Sequence, residues 1–493
     1  MNSMREGSRL AIDLGAESGR VFLGSLQSNI LNVREVHRFP NHPVTEGNST
    51  HWDVVRLWSE VRTALSSSQL SEIASIGVDA WGVDYALLGE SGELLQNPYH
   101  YRDPRSVSAM EQVLRLVPRE RIYRETGVQF MPINTLNQLY AAQRDTPELL
   151  GTAHRLILIA DLFHYWLSGN AYCEFTAAST TQFANPITRT WAMPLLRELG
   201  LPAQILAPII EPGSVLGDLR GEISNGGRHT PVVIAPASHD TASAVAAISA
   251  TGNTAFLSSG TWSLFGIELE SPVISAQALR LNFTNEGGIA GSTRLLKNVM
   301  GLWMLQCCRR EWSAQGRNFS YDDLMSAAKG AAPFRQLIDP DDPSFLNPPA
   351  MIAAMDTFCQ RTGQPCPESP GGYVRAILES LALKYRLVTR NLESLIERPI
   401  HRIQVIGGGS KNSLLNQFTA DATGKQIMAG PSEAAVLGNV GMQMVATGEV
   451  SSVRDMRALI ARSFPPDVYE PENMERWNQE ANRFQQYCEF SYA

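Results

Sequence analysis

Apolar residues follow two rhythms along this chain. Short unbroken runs bounded by Gly, Pro or Asp predict buried strands, and apolar positions recurring every three or four residues predict helices. R-L-A-I-D-L-G-A-E-S-G-R-V-F-L-G, beginning at Arg9, reads as strand, Gly/Ser turn, strand. N-T-A-F-L-S-S-G-T-W-S-L-F-G, residues 253 to 266, reads the same way. Setting Gly15 against Gly260 pairs Asp13 with Ser258 and Ala16 with Thr261 at an offset of 245, about half of the 493 residues. Two halves opening alike suggest a duplicated domain, although a repeat this short does not prove one.

The remaining pattern fills in both halves. I-A-S-I-G-V-D-A-W-G-V-D-Y-A-L-L, residues 73 to 88, predicts strand, loop, strand, while Asn134 to Arg144 and Asp161 to Leu167 predict helices. V-V-I-A, Val232 to Ala235, is expected to close the first sheet, and Ala242 to Ile248 is a run of helix-compatible residues. Downstream, Ala376 to Leu395 predicts a long helix, and H-R-I-Q-V-I-G-G-G-S-K-N-S-L-L-N-Q-F predicts strand, triple-glycine turn, helix. Met474, Trp477, Ala481, Phe484 and Tyr487 mark a terminal helix docked on the body. Alternating strands and helices imply an α/β fold. The expected domains are 1–248, 249–460 and a C-terminal helical extension, 461–493.

Composition narrows the partners. A formal net charge of −8 offers no basic face for nucleic acid or anionic lipid, so a small-molecule partner is favoured. No window approaches the roughly 20 apolar residues of a membrane span, and Met1 to Ser8 is polar, unlike a signal peptide. The six cysteines, including the adjacent Cys307 and Cys308, form no disulfide framework, which fits reduced thiols in a cytoplasmic protein. Monomer and homodimer both stay open.

The chemistry is carried by small-residue turns beside acids. There is no G-x-x-x-x-G-K-[ST], no H-E-x-x-H, no paired C-x-x-C and no G-x-S-x-G. In D-L-G-A-E-S-G-R the glycines allow close backbone approach, so successive N–H groups can face an anion. Asp13, at the strand end, is placed to hold a hydrated magnesium ion. The S-S-G-T turn around Thr261 offers further donors. Each turn alone reads more readily as a plain hairpin turn; as a matched pair they favour a shared ligand. Gly407 to Gly409 is either a tight turn capped by Ser410 or Asn412, or a flat surface for a nucleobase. Asp240, at a strand-to-helix junction, is either a helix cap with His239 packed beside it, or a base that accepts a hydroxyl proton. D-A-W-G-V-D combines an aromatic ring, Trp81, with a glycine and the carboxylates Asp79 and Asp84, as a sugar site requires. Arg102, Asp103, Asn134, Asn285, Glu286, Asn298 and Gln306 are candidate polar groups for the same pocket.

Together these blocks resemble the FGGY carbohydrate kinases of the actin-like ATPase superfamily, in the same order from Leu10 to about Gly448. The W-G-V-D, Q-F-x-P-x-N-T-L and S-H-D-T-A-S-A blocks are similar to the branch that acts on L-rhamnulose. The resemblance implies two ribonuclease-H-like α/β domains around a central cleft, with Mg²⁺ and ATP bound there. It implies transfer of a phosphoryl group from ATP to O1 of L-rhamnulose, with Asp240 as catalytic base. Gly82, Trp81, His239, Asp240, Thr241 and Asn298 are then the expected sugar contacts. Ala16, Glu17, Ser18, Gly19, Arg20, Thr261, Gln306 and Gly408 are the expected nucleotide contacts, and Asp13 stands near the metal. Another ketose such as L-fuculose or L-xylulose, or a non-catalytic sugar sensor, is the alternative. Glu17 departs from the A-S-S-G or G-T-T-S of many relatives, and is tolerable only if it points away from phosphate or serves the metal.

Overall fold

The computed structural model describes residues 7–67, 72–223 and 230–490. The chain divides into two compact units. Unit 1 comprises Met1–Ser249, Glu268–Leu295 and Glu433–Pro465; unit 2 comprises Ala250–Ile267, Leu296–Ser432 and Pro466–Ala493. The compact units are discontinuous along the chain, whereas the sequence suggests the consecutive segments 1–248, 249–460 and 461–493. Contiguity along the chain cannot reveal that residues 268–295 and 433–465 bury their apolar faces against the first half.

In unit 1, Ser8–Leu14 (β1), Ser18–Gln27 (β2) and Ile30–Pro40 (β3) form an antiparallel meander. Ile73–Ala80 (β4) pairs parallel to β1, Val232–Ala235 (β6) pairs parallel to β4, and Ser214–Asp218 (β5) lies antiparallel on β6. The order is β5-β6-β4-β1-β2-β3, so β5, not V-V-I-A, forms that edge. The β5 segment, S-V-L-G-D, is short and half polar, which hides it from a periodicity search. Every residue of β4 is buried, as is all of β1 after Ser8. This marks parallel strands covered on both faces.

Helix Ala434–Ala446 supplies part of that cover, and glycines let it approach closely. A methyl at Gly24 of β2 would meet Val440 at 2.5 Å, and one at Gly77 of β4 would meet Asn439 Oδ1 at 2.6 Å. The same helix packs on Asp240–Ala246, where a methyl on Gly438 would overlap the backbone carbonyl of Ser243. Polar groups stitch the contact. Ser75 Oγ donates to Gln443 Oε1 (2.7 Å), and Gln443 Nε2 donates to Leu10 O (3.1 Å) and Asn439 Oδ1 (2.7 Å).

Unit 2 repeats the topology. Thr254–Ser259 (β7) and Trp262–Leu269 (β8) form an antiparallel hairpin, with Thr293–Met300 (β9) on its far side. Arg402–Ile406 (β10) pairs parallel to β7, Gln426–Ala429 (β11) parallel to β10, and Asp467–Tyr469 (β12) antiparallel to β11. The run β9-β8-β7-β10-β11-β12 matches β3-β2-β1-β4-β6-β5 of unit 1. The two hairpins aligned by their glycines occupy equivalent central positions, as a duplicated ribonuclease-H-like fold requires.

The predicted helices appear as Thr135–Asp145, Ile159–Ser168, Pro370–Ile396 and Ser413–Thr423. The terminal helix Met474–Phe490 buries Trp477, Phe484 and Cys488 with Phe334, Leu337, Ala382, Leu383 and Ala422. None of the six cysteines forms a disulfide. Among the described residues no helix is long and apolar enough to cross a membrane.

Gly438→Ala is expected to lower the stability of the chain by about 1–3 kcal/mol, the usual cost of overpacking. Urea unfolding followed by fluorescence measures this. An unchanged midpoint would show that the two helices separate without cost.

Candidate functional site

Three parallel strands of unit 1 end side by side, and Asp13, Asp79, Trp81, Gly82, His239 and Asp240 lie at or just after those ends. Trp81 N–H donates to Leu14 O (3.2 Å) and Ala80 N–H to Ser238 O (2.9 Å), which ties the turns after β1, β4 and β6 together. Such carboxyl ends are where open α/β sheets bind ligands. Asp13 and Asp79 are register partners on β1 and β4, 3% and 0% exposed. Arg20, opposite Asp13 on β2, pairs with both Asp13 and Glu433. Asp79 Oδ2 accepts from Asn439 Nδ2 (2.6 Å), whereas Oδ1 is buried without a hydrogen-bond partner. Burial, and then the charge of Asp13, push the Asp79 carboxyl well above the usual carboxylate range.

Asp240 opens the helix Asp240–Ala246, and His239 occupies the cap position without a side-chain capping bond. The Asp240 side chain keeps 30% of its surface accessible. Its packing, then the charge of Asp13, raise it to about 7, against hydrogen bonds to Oδ1 from the Thr241 backbone N–H and hydroxyl. An acid titrating near neutrality with an accessible oxygen suits a general base. His239 lies beside it, with Nε2 3.5 Å from Asp240 Oδ1. A methyl at Gly82 would lie 3.2 Å from His239 Nε2 and 3.1 Å from Thr180 Oγ1, so Gly82 leaves that face open. The next residue, Val83, has φ of 66°, a strained value for a β-branched side chain. It is held by Thr180 Oγ1, which accepts from its N–H (3.1 Å), and by Thr135 Oγ1, which donates to its carbonyl (2.6 Å).

Several of the candidate polar groups bond to protein atoms. Asp84 is fully buried and accepts from Trp52 Nε1 (2.6 Å), Trp81 Nε1 (3.0 Å), Gln138 Nε2 (2.8 Å) and Tyr101 N–H (3.2 Å). It orients Trp81, whose ring lies 4.2 Å from that of Trp52, and is enclosed by these donors. Asp79 is likewise enclosed. Asn134 Nδ2 donates to Gln129 O (2.7 Å), Asp103 accepts from the Thr50 and Arg105 N–H groups, and Asn285 bridges Val273 to Gly127. These side chains brace loops. Polar type and proximity in sequence do not distinguish a brace from a ligand contact.

The nucleotide candidates divide between the units. In the first turn Gly15 N–H donates to Ser18 O (3.0 Å), and Asn41 Nδ2 to Gly15 O (2.9 Å). Ala16 and Ser18 are half-exposed, Glu17 is exposed, and Gly19 lies under the Phe39 ring. In unit 2, Leu302 N–H donates to Gly260 O (2.9 Å) and Trp303 N–H to Thr261 O (3.1 Å). The helix Trp303–Ala314, which carries Gln306, therefore starts at the Thr261 turn. Gln306 Oε1 is buried without a hydrogen-bond partner. Gly407, at φ 79°, and Gly409 pack against Ser259, whereas a methyl at Gly408 would meet open space. Asn412, not Ser410, caps the following helix through Leu415 N–H (3.0 Å). Asn298 is half-buried on β9. Sequence reasoning missed Arg294, Glu433 and Asn439, because each lies far along the chain from the groups it serves.

Two family models match in tandem. The N-terminal domain of the FGGY family of carbohydrate kinases covers residues 9–247, and its C-terminal domain covers 255–447. The chain is 46% identical over 472 residues to a rhamnulokinase of Bacteroides thetaiotaomicron, spanning 95% of this chain and 96% of that one. It is 43% identical over 469 residues to a rhamnulokinase of Pectobacterium atrosepticum, spanning 94% and 92%. A xylulose kinase structure from Lactobacillus acidophilus superposes with a TM-score of 0.79 at 19% identity, covering 98% of this chain and 97% of that one. A Plasmodium falciparum glycerol kinase with ADP gives 0.77 at 16%, covering 99% of each chain. With both halves matched in order and close relatives over nearly the full length, the chain belongs to the FGGY family of carbohydrate kinases.

Proposed function

We propose that this chain transfers the γ-phosphoryl group of ATP to O1 of L-rhamnulose, giving L-rhamnulose 1-phosphate and ADP. The substrate reading rests on the rhamnulokinases that are 46% and 43% identical to it. The chemistry rests on one observation: Asp240, raised to about 7, keeps an accessible carboxylate beside His239 Nε2 and the space left by Gly82. Asp240 takes the proton of the attacking hydroxyl, and Trp81, Gly82, His239, Thr241 and Asn298 orient the sugar. The first turn, Ala16 to Arg20, with Thr261, Gln306 and Gly408, holds the nucleotide.

The donor set fits magnesium held mostly through water. Asp13 offers a carboxylate at a strand end, while among the described residues no three His, Cys, Asp or Glu side chains gather as a cage. When bound, the ion neutralises phosphate charge. Arg20 meanwhile holds Asp13 in place, and the chain's own contribution is to position the hydroxyl and receive its proton.

ADP release from Mg-ATP should be fastest, by kcat/KM, with L-rhamnulose among L-rhamnulose, L-fuculose, L-xylulose, D-xylulose, L-ribulose and glycerol. Preference for another ketose would overturn the substrate, and release without any sugar would overturn the kinase reading. Asp240→Asn should lose roughly 10²–10⁴-fold in kcat, the usual contribution of a positioned base, with sugar affinity nearly kept; near-normal turnover would remove Asp240 as the base. The base form exists only above the carboxyl's pKa. kcat/KM for the sugar should therefore fall about tenfold per pH unit once the pH drops below a value no higher than about 7. A profile flat down to the ordinary carboxylate range would contradict this.

A further inference from the structure

Arg294 is the second residue of β9 and is 1% exposed. Its Nε donates to Gly287 O (2.9 Å), and its Nη2 lies 3.1 Å from Glu286 Oε2 and 3.2 Å from His239 Nδ1. We infer that Arg294 is a positioning residue that holds His239 in the tautomer protonated at Nε2, so that a ring N–H, not a lone pair, faces Asp240. The inference rests on the reading of Asp240 as the base.

The argument is one of donors and acceptors. A guanidinium has only donors, so the nitrogen it faces must present a lone pair. A neutral imidazole with a lone pair on Nδ1 carries its proton on Nε2. Burial, and the adjacent arginine charge, keep the ring uncharged. Nε2–H then lies 3.5 Å from Asp240 Oδ1, on the side that Gly82 leaves open. The other tautomer would set Nδ1–H against the Arg294 donors and the Nε2 lone pair against a carboxylate, two repulsions at once. It would also let His239 compete with Asp240 for the hydroxyl proton. Glu286, itself 3.5 Å from Nδ1, balances the arginine charge, so the assembly presents a directed N–H without adding net charge to the pocket.

The backbone is built to the same end. His239 N–H donates to Thr176 Oγ1 (3.1 Å), and Ser238 N–H to Glu174 Oε2 (2.9 Å), which fixes the chain from which the ring projects. Sequence gave no warning of Arg294, since it is 55 residues from His239.

Heteronuclear NMR of the nitrogen-labelled histidines tests the tautomer directly, with the His239 signals assigned by their loss in His239→Gln. The wild-type enzyme should show a protonated Nε2 and an unprotonated Nδ1 throughout the neutral range. Arg294→Met should lose that preference and drop kcat/KM for the ketose roughly 10- to 100-fold, the scale of a lost charge-assisted hydrogen bond, with KM for ATP unchanged within about twofold. Arg294→Lys, which restores a donor, should recover part of both. A wild-type His239 protonated at Nδ1 or at both nitrogens would overturn the inference, as would Arg294→Met keeping tautomer and kcat/KM. If Arg294→Met does not fold, the wild-type spectrum still decides the tautomer, and Arg294→Lys supplies the kinetic comparison. Absence of ketose-dependent ADP release in the wild type would overturn the substrate reading while leaving the tautomer result standing.

Discussion

Helix Ala434–Ala446 lies on the first sheet at a separation that only glycines permit, and much of unit 1 follows from that contact. Gly24 and Gly77 remove side chains from the sheet surface, and Gly438 removes one from the helix. Without that approach Asn439 could not reach Asp79, Gln443 could not bind Leu10 and Ser75, and the helix that begins at Asp240 would lose its backing. Close packing of this kind leaves no room for adjustment, because interiors are as dense as molecular crystals.

On that base the site is an exercise in uneven charge. Asp13, Asp79 and Asp240 repel one another at the ends of neighbouring parallel strands, and burial makes each charge expensive. The environments then separate the three roles. Asp13 is paired with Arg20, Asp79 is enclosed with its carboxyl pushed up, and Asp240 keeps an open oxygen and titrates near neutrality. Asp84 shows the same logic without a ligand role. Four donors surround it, and its work is to set the Trp81 and Trp52 rings.

The two sheets carry one topology, yet the units assign their hairpins different duties. In unit 1 the hairpin places Asp13 and Arg20 across from each other. In unit 2 the equivalent strand end offers Ser259 as the surface against which Gly407 and Gly409 pack, leaving Gly408 open. A duplicated scaffold thus presents acids at one strand end and small residues at the other.

The amino-acid sequence by itself determined the α/β class, the paired hairpins, the long helices and the junction at Asp240. Those features are local: a buried strand, a turn or an amphipathic helix writes its own short-range pattern. The docking of Trp477 and Phe484 was legible for the same reason, since the stripe that buries them has helical spacing. Tertiary structure alone decided that residues 268–295 and 433–465 belong with the first half, and that β5 forms an edge. It also decided that Asp84, Asn134 and Asn285 brace loops, and that Arg294, Glu433 and Asn439 serve groups far away in sequence. Whether a polar side chain meets a ligand or a backbone N–H depends on what long-range packing places beside it, and no local pattern encodes that neighbour.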